Sequence, residues 1–217
     1  MIECVLFDLD GTIVDTNELI IRSFLYALEQ NNLPQLSREQ MIPHMGTTLK
    51  EQMQAFSGLE DIEELEKAYR VYNYKHHDEL IRSFPRVNET LEELRRRGIK
   101  MGIVTTKIRP TTIMALEMFD LLQYMDTIVT VNDVTEPKPH PEPVLTALRN
   151  LGADPRRTLM VGDSPADIRS AKAAGVYAVG VAWSLKGEET LRTYGPDYII
   201  HDMTDLYELL DQGTIEP

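Results

Sequence analysis

Sulfur chemistry is nearly absent from this sequence. Cys4 is the one cysteine, which rules out an internal disulfide and any thiolate metal cluster. It lies in the run Ile2-Glu3-Cys4-Val5-Leu6-Phe7, where a thiol reads as a small core hydrophobe. That run is short and broken by Glu3, so it does not make a signal peptide. No apolar stretch approaches the roughly 20 residues of a membrane span. Positive charge is scarce as well: 22 Lys and Arg against 35 Asp and Glu give a net charge of −13. Such a surface repels nucleic acid and anionic membranes, and any anionic ligand needs a locally positive site. These absences point to a soluble cytoplasmic protein that binds neither nucleic acid nor membrane.

What is present reads as one core with an insertion. The chain has 217 residues, of which 42% are apolar and spread along its length, enough for a buried core. Ile2 to Phe7 is a short apolar run that stops at polar residues and Gly11, as a buried strand does. From Asn17 the pattern turns helical, with Leu19, Ile20, Phe24, Ala27 and Leu28 on one face. Helix follows at Leu49–Phe56 and from Ile62 to Leu80, so 15–84 is expected to be all helix. After Pro85, helices ending near Gly98, Phe119, Leu151 and Ala174 alternate with strands at 100–105, 127–131, 158–161, 177–181 and 198–200. This alternation predicts an α/β fold, a doubly wound, Rossmann-like parallel sheet formed by 1–14 and 85–217, with 15–84 as a helical cap domain.

In open sheets of this kind ligands bind beyond the carboxyl ends of the strands. Here those ends are polar: Phe7 leads to Asp8 and Asp10, Val104 to Thr105, and Val161 to Gly162 and Asp163. The segment after Val131 adds Lys138. As parallel neighbours these strands would bring three carboxylates, a hydroxyl and an ammonium to one cleft. Oxygen donors of this type suit a hard cation, Mg²⁺ rather than zinc. Each residue also has a plainer reading: Asp8 and Asp10 as a turn signal, Asp163 and Asp167 as acids at a helix start, Lys138 as a surface lysine.

Taken in order, Asp8-x-Asp10-Gly11-Thr12, Thr105, Lys138 and Gly162-Asp163-x-x-x-Asp167 resemble the four motifs of the haloacid-dehalogenase-like (HAD) phosphatases, over nearly the whole chain. The helical block resembles that family's type 1 cap. The resemblance implies a Mg²⁺-dependent phosphohydrolase with Asp8 as nucleophile, passing through an aspartyl-phosphate. Asp10 would protonate the leaving oxygen and then activate water. Mg²⁺ would be held by the Asp8 and Asp163 carboxylates and the Asp10 carbonyl, with Asp167 orienting the site. Thr105 and Lys138 would grip the phosphoryl oxygens. Dehalogenases lack an acid where Asp10 stands, so the family likeness favours a phosphatase or a phosphomutase.

Specificity is expected from the cap and its rim. Gly46-Thr47-Thr48-Leu49-Lys50 falls between two cap helices, where Thr47 and Thr48 either cap a helix or touch substrate. Thr106, Lys107 and Arg109, just after the second motif, are the nearest candidates from the core for binding an anion. Thr16–Ile20, Asn73 with His76–Leu80, and Gly102–Lys107 are similar to bacterial pyrophosphatases of the same family. The expected substrate is therefore a small phosphate anion, pyrophosphate first. Phosphoglycolate or another small organophosphate is the alternative, and a phosphomutase comes after both. A non-enzymatic regulatory domain on this fold is disfavoured by intact Asp8, Asp10, Lys138 and Asp163. His76 and His77 carry no assigned role.

Overall fold

The strand β1 (Cys4–Phe7) is apolar and buried along its whole length, the pattern of a strand covered on both faces. In the computed structural model, which describes residues 1–211, it lies at the centre of a six-stranded parallel sheet. Residues 212–217, the end of the expected core segment, lie outside the described residues. Along the chain β1 is followed by β2 (Val14–Asp15), α1 (Asn17–Gln30), α2 (Arg38–Met41), α3 (Leu49–Ser57), α4 (Glu63–Leu80) and β3 (Arg82–Ser83). The alternating part comprises α5 (Val87–Arg96), β4 (Lys100–Val104), α6 (Arg109–Met118), β5 (Thr127–Val129), α7 (Glu142–Leu151), β6 (Thr158–Gly162) and α8 (Pro165–Ala174). It closes with β7 (Tyr177–Val181), α9 (Glu188–Arg192), β8 (Tyr198–Ile200) and α10 (Leu206–Asp211). The sheet order is β5-β4-β1-β6-β7-β8.

Side chains alternate across β1 and divide the core in two. Val5 and Phe7 pack with Leu91 and Leu94 of α5, Leu116 of α6 and Leu206 of α10. Cys4 and Leu6 face Val144 and Leu148 of α7 and Ile168 of α8. The parallel register pairs Phe7 with Ile103 on one side and with Val161 on the other. Asp8, Val104 and Gly162 thus end level, and the Asp8 amide donates to the Val161 carbonyl at 2.9 Å.

The helical block has its own core. Phe24 of α1 meets Phe56 of α3 edge to face and Tyr69 of α4, each at 4.8 Å between ring centres, with Met41 and Met53 buried beside them. Periodicity misses one feature at its base. There β2 and β3 form an antiparallel ribbon, Val14 opposite Ser83 and Asp15 opposite Arg82, where the chain leaves the sheet and returns to it. No helix among the described residues is long and apolar enough to cross a membrane.

Candidate active site

The turn after β1 carries the first two carboxylates. It curls around the Leu9 carbonyl, which accepts from the amides of Thr12, Ile13 and Val14, while the Gly11 amide donates to the Val14 carbonyl at 2.8 Å. Gly11 has φ +81°, and a Cβ there would overlap Asp163 Oδ2. Glycine is what lets this turn and the Asp163 carboxylate share the same space.

Lys138 is buried and donates to Asp8 Oδ1 at 2.7 Å, Asp167 Oδ1 at 2.5 Å and the Val104 carbonyl at 2.8 Å. Burial alone would pull its pKa down, but Asp167 and Asp8 outweigh that and hold it above the usual lysine range. Burial, with Asp167 adding to it, prevails over Lys138 and pushes Asp8 up to about 7. Asp163 is raised well above the ordinary carboxylate range by burial first, then by Asp8 and Asp167.

Asp167 is saturated: its second oxygen accepts from the Ser164 amide at 3.0 Å and hydroxyl at 2.7 Å, in a capping box at the start of α8. Capping and charge pairing coexist in one residue. Oxygens of Asp8, Asp163 and Asp167 lie within 4.8 Å of one another. Among the described residues the Asp163 carboxylate makes no hydrogen bond. An all-oxygen cluster whose carboxylates crowd one another fits a small hard divalent cation, for which Asp163 and the second oxygen of Asp8 are the available donors.

Two neighbouring chambers that share lining residues lie between the strand ends and the helical block. The smaller, about 50 Å³, is bounded by Asp8, Thr105 and Asp163 below and by Met45, Gly46 and Thr47 above. The larger, about 230 Å³, is bounded by Lys50, Glu66, Tyr69, Arg70 and Asn73 of the cap and by Lys107 of the core. Asp10 borders both chambers, as do Thr47, Gln52 and Thr106. Its carboxylate accepts from the Thr16 hydroxyl at 2.7 Å and from the Lys107 ammonium at 3.1 and 3.2 Å.

The family model for haloacid dehalogenase-like hydrolases matches residues 5–181, which takes in every one of these groups. The chain belongs to the haloacid dehalogenase-like hydrolase family. It is 46% identical over 213 residues to the pyrophosphatase PpaX of Bacillus mycoides strain KBAB4, spanning 97% of this chain and 98% of that protein. A haloacid dehalogenase-like hydrolase of Bacteroides fragilis superposes with a TM-score of 0.86 at 30% identity, covering 95% of this chain and all of the other. A predicted phosphoglycolate phosphatase from Haemophilus somnus 129PT gives 0.84 at 27% identity, covering 96% and 97%.

Within this hydrolase of the haloacid dehalogenase-like family, the residues expected at the site fall into three groups. Asp8, Asp10, Thr105, Lys138, Asp163 and Asp167 come together at the strand ends. Thr47, Thr48, Lys50, Thr106 and Lys107 reach the chambers, although Thr48 is spent on a capping box with Glu51 at the start of α3. Arg109 lines neither chamber: its guanidinium is bound to Asp133 at 2.7 Å and to the Ile128 carbonyl at 3.0 Å. His76 stacks on Tyr72, and His77 is buried with its Nδ1 on Asp78, so both belong to the packing of α4. The sequence assigns no site role to Gln52, Glu66, Arg70 and Asn73, all of which line the chambers. The last three share with Tyr69 an i, i+3, i+4, i+7 stripe of α4 that faces the larger chamber, and that spacing was the available signal.

Proposed function

We propose that this protein is a cytoplasmic, Mg²⁺-dependent inorganic pyrophosphatase. The observation that carries the reading is the position of Asp10 on the wall shared by the two chambers. On one side stands Asp8, with Thr105 and Lys138 beside it. On the other are Lys50, Arg70 and Lys107 against the carboxylates of Asp10 and Glu66, a local excess of positive charge in a chain of −13. A transferred phosphoryl group suits the smaller chamber and a leaving phosphate the larger. The 46% identity to a protein named pyrophosphatase supports the same choice. Phosphoglycolate would bring one carboxylate to the larger chamber, which asks for fewer cations.

In this reading Asp8 attacks the phosphorus while Lys138 fixes it through Oδ1, and an aspartyl-phosphate forms as the bridging P–O bond breaks. Asp10, at the junction, delivers the proton to the departing oxygen and later removes one from the attacking water. Thr105 holds a phosphoryl oxygen as charge builds on it, while Lys138, its three donors taken by Asp8, Asp167 and the Val104 carbonyl, places its positive charge beside the group. Asp8, Asp163 and the Asp10 carbonyl would hold Mg²⁺, which when bound supplies positive charge to the phosphoryl oxygens. Asp167 keeps Lys138 and Asp8 in register.

The test is Asp8→Asn. The amide cannot attack phosphorus, so the variant should fold, with a wild-type circular dichroism spectrum, and release no measurable orthophosphate from pyrophosphate. Turnover near the wild-type rate in that variant would contradict a covalent route through Asp8.

A further inference from the structure

Lys186, in the loop after β7, takes no part in the chemistry above, yet its ammonium crosses from core to cap. It donates to the Ile42 carbonyl at 2.6 Å and the Pro43 carbonyl at 3.3 Å. These carbonyls belong to the 3₁₀ turn Ile42–His44, whose end leads directly into the Met45-Gly46-Thr47 roof of the smaller chamber. At its root the same lysine is tied to the catalytic floor. Ser184 Oγ donates to the Asp163 carbonyl at 2.6 Å and accepts from the Lys186 amide at 3.1 Å. A continuous path of hydrogen bonds therefore joins Asp163, Ser184, Lys186 and the roof.

Gly46 marks the place where roof meets floor. Its φ is +95°, and a Cβ built on it would stand 2.7 Å from Ser164 Cβ. The seam is closed to within the width of a methyl group. The covalent links to this block run through the ribbon of β2 and β3, two residues on each strand, which leaves closure to non-covalent contacts. We propose that Lys186 is a positioning residue that holds the cap shut over the phosphoryl chamber by binding the Ile42 and Pro43 carbonyls. A lysine fits this role because its flexible stem spans the gap and its donors reach both carbonyls, that of Ile42 accepting from the Met45 amide at 3.2 Å as well. Burial pulls its pKa below the ordinary lysine range, and Asp163 and Asp167 offset only part of that.

A cap that spends less time closed lowers apparent affinity in proportion to the closed fraction, whereas saturating substrate restores closure. The consequence is a rise in KM with little change in kcat. Paired spin labels on Leu59→Cys in the cap and Arg156→Cys in the core read closure without any turnover, since both positions are exposed and Cys4 is buried. In that background Lys186→Met should add a population at longer distance. It should also raise KM for p-nitrophenyl phosphate about tenfold while kcat stays within about threefold. Lys186→Arg, which keeps the charge and donors, should restore both values most of the way.

Gly46→Ala opens the same seam from the cap side, and it serves if Lys186→Met does not fold. It should lengthen the label distance, and the double variant should be no more open than the worse single one. An unchanged distance distribution in Lys186→Met would overturn the proposal. So would a fall in kcat at constant KM, or additive effects in the double variant. Because the distance measurement needs no substrate, it stands apart from the pyrophosphatase reading.

Discussion

Lys138 sits where an ammonium loses its hydration, and three oxygens replace the water. Removing it would leave Asp8 and Asp167 uncompensated in a buried site, a loss of about 3–5 kcal/mol for a broken buried pair. Its role could be suspected from the Lys138-Pro139-x-Pro141 context, because a lysine that introduces a helix after a strand has few other reasons to turn inward. Arg109 shows the limit of such reasoning: the sequence places it beside a motif, but its partner Asp133 arrives through a turn 24 residues later. Lys107 is similar, since it serves Asp10 before any substrate. Removing Lys107 would therefore disturb the general acid as well as the leaving-group chamber. Lys50→Met is the cleaner probe, and Arg70→Met adds to it at a guanidinium that is paired with Glu66 at 2.8 Å. Each should lower kcat/KM for pyrophosphate more than for p-nitrophenyl phosphate, by about 1.5–3 kcal/mol or roughly ten- to hundredfold. Equal losses on both substrates would assign these cations to the transferred phosphoryl group or to the fold.

At the scale of elements, the β-strands of the main sheet were legible as short, largely apolar runs, of which β1, β4 and β6 lead straight to the polar residues of the site. The ribbon of β2 and β3 was not, as two residues give no periodicity to detect. The polar members of the α4 face, Glu66, Arg70 and Asn73, carry no signal of their own but their spacing, in a helix that the apolar pattern alone predicts. They line a chamber only because the cap folds back over the sheet, a tertiary fact with no local signature. Lys186 had still less to mark it, as Leu185-Lys186-Gly187 reads as an ordinary turn. The turn after β1 is the opposite case, since Gly11 is needed there for both its φ and its missing side chain. Gly11→Ala forces a left-handed alanine, costing about 1–2 kcal/mol, and presses on Asp163 as well. A lower melting temperature together with at least a tenfold loss of kcat/KM, roughly 1.4 kcal/mol in the barrier, is expected. Wild-type values for both would show that Asp163 can move without consequence.

Over the whole molecule, charge −13 opposes every anionic substrate, so binding depends on cations gathered at one cleft. Lys138 is bonded to two of the three crowded carboxylates, Asp8 and Asp167, while burial first and the neighbouring carboxylates second hold Asp8 and Asp163 above the ordinary carboxylate range. Exhaustive chelation should abolish turnover and added Mg²⁺ should restore it, with Ca²⁺ a poor substitute because its sphere is larger and looser. Full activity after chelation would contradict a metal role for these carboxylates. The division into two chambers, with Asp10 between them and three cations beyond it, makes the substrate the deciding quantity. It is read by measuring kcat/KM for pyrophosphate, phosphoglycolate and p-nitrophenyl phosphate side by side, at one pH and one Mg²⁺ concentration. Pyrophosphate should lead the other two by about tenfold or more, the effect of at least one additional charge-assisted contact. A wide preference for phosphoglycolate would contradict the assignment.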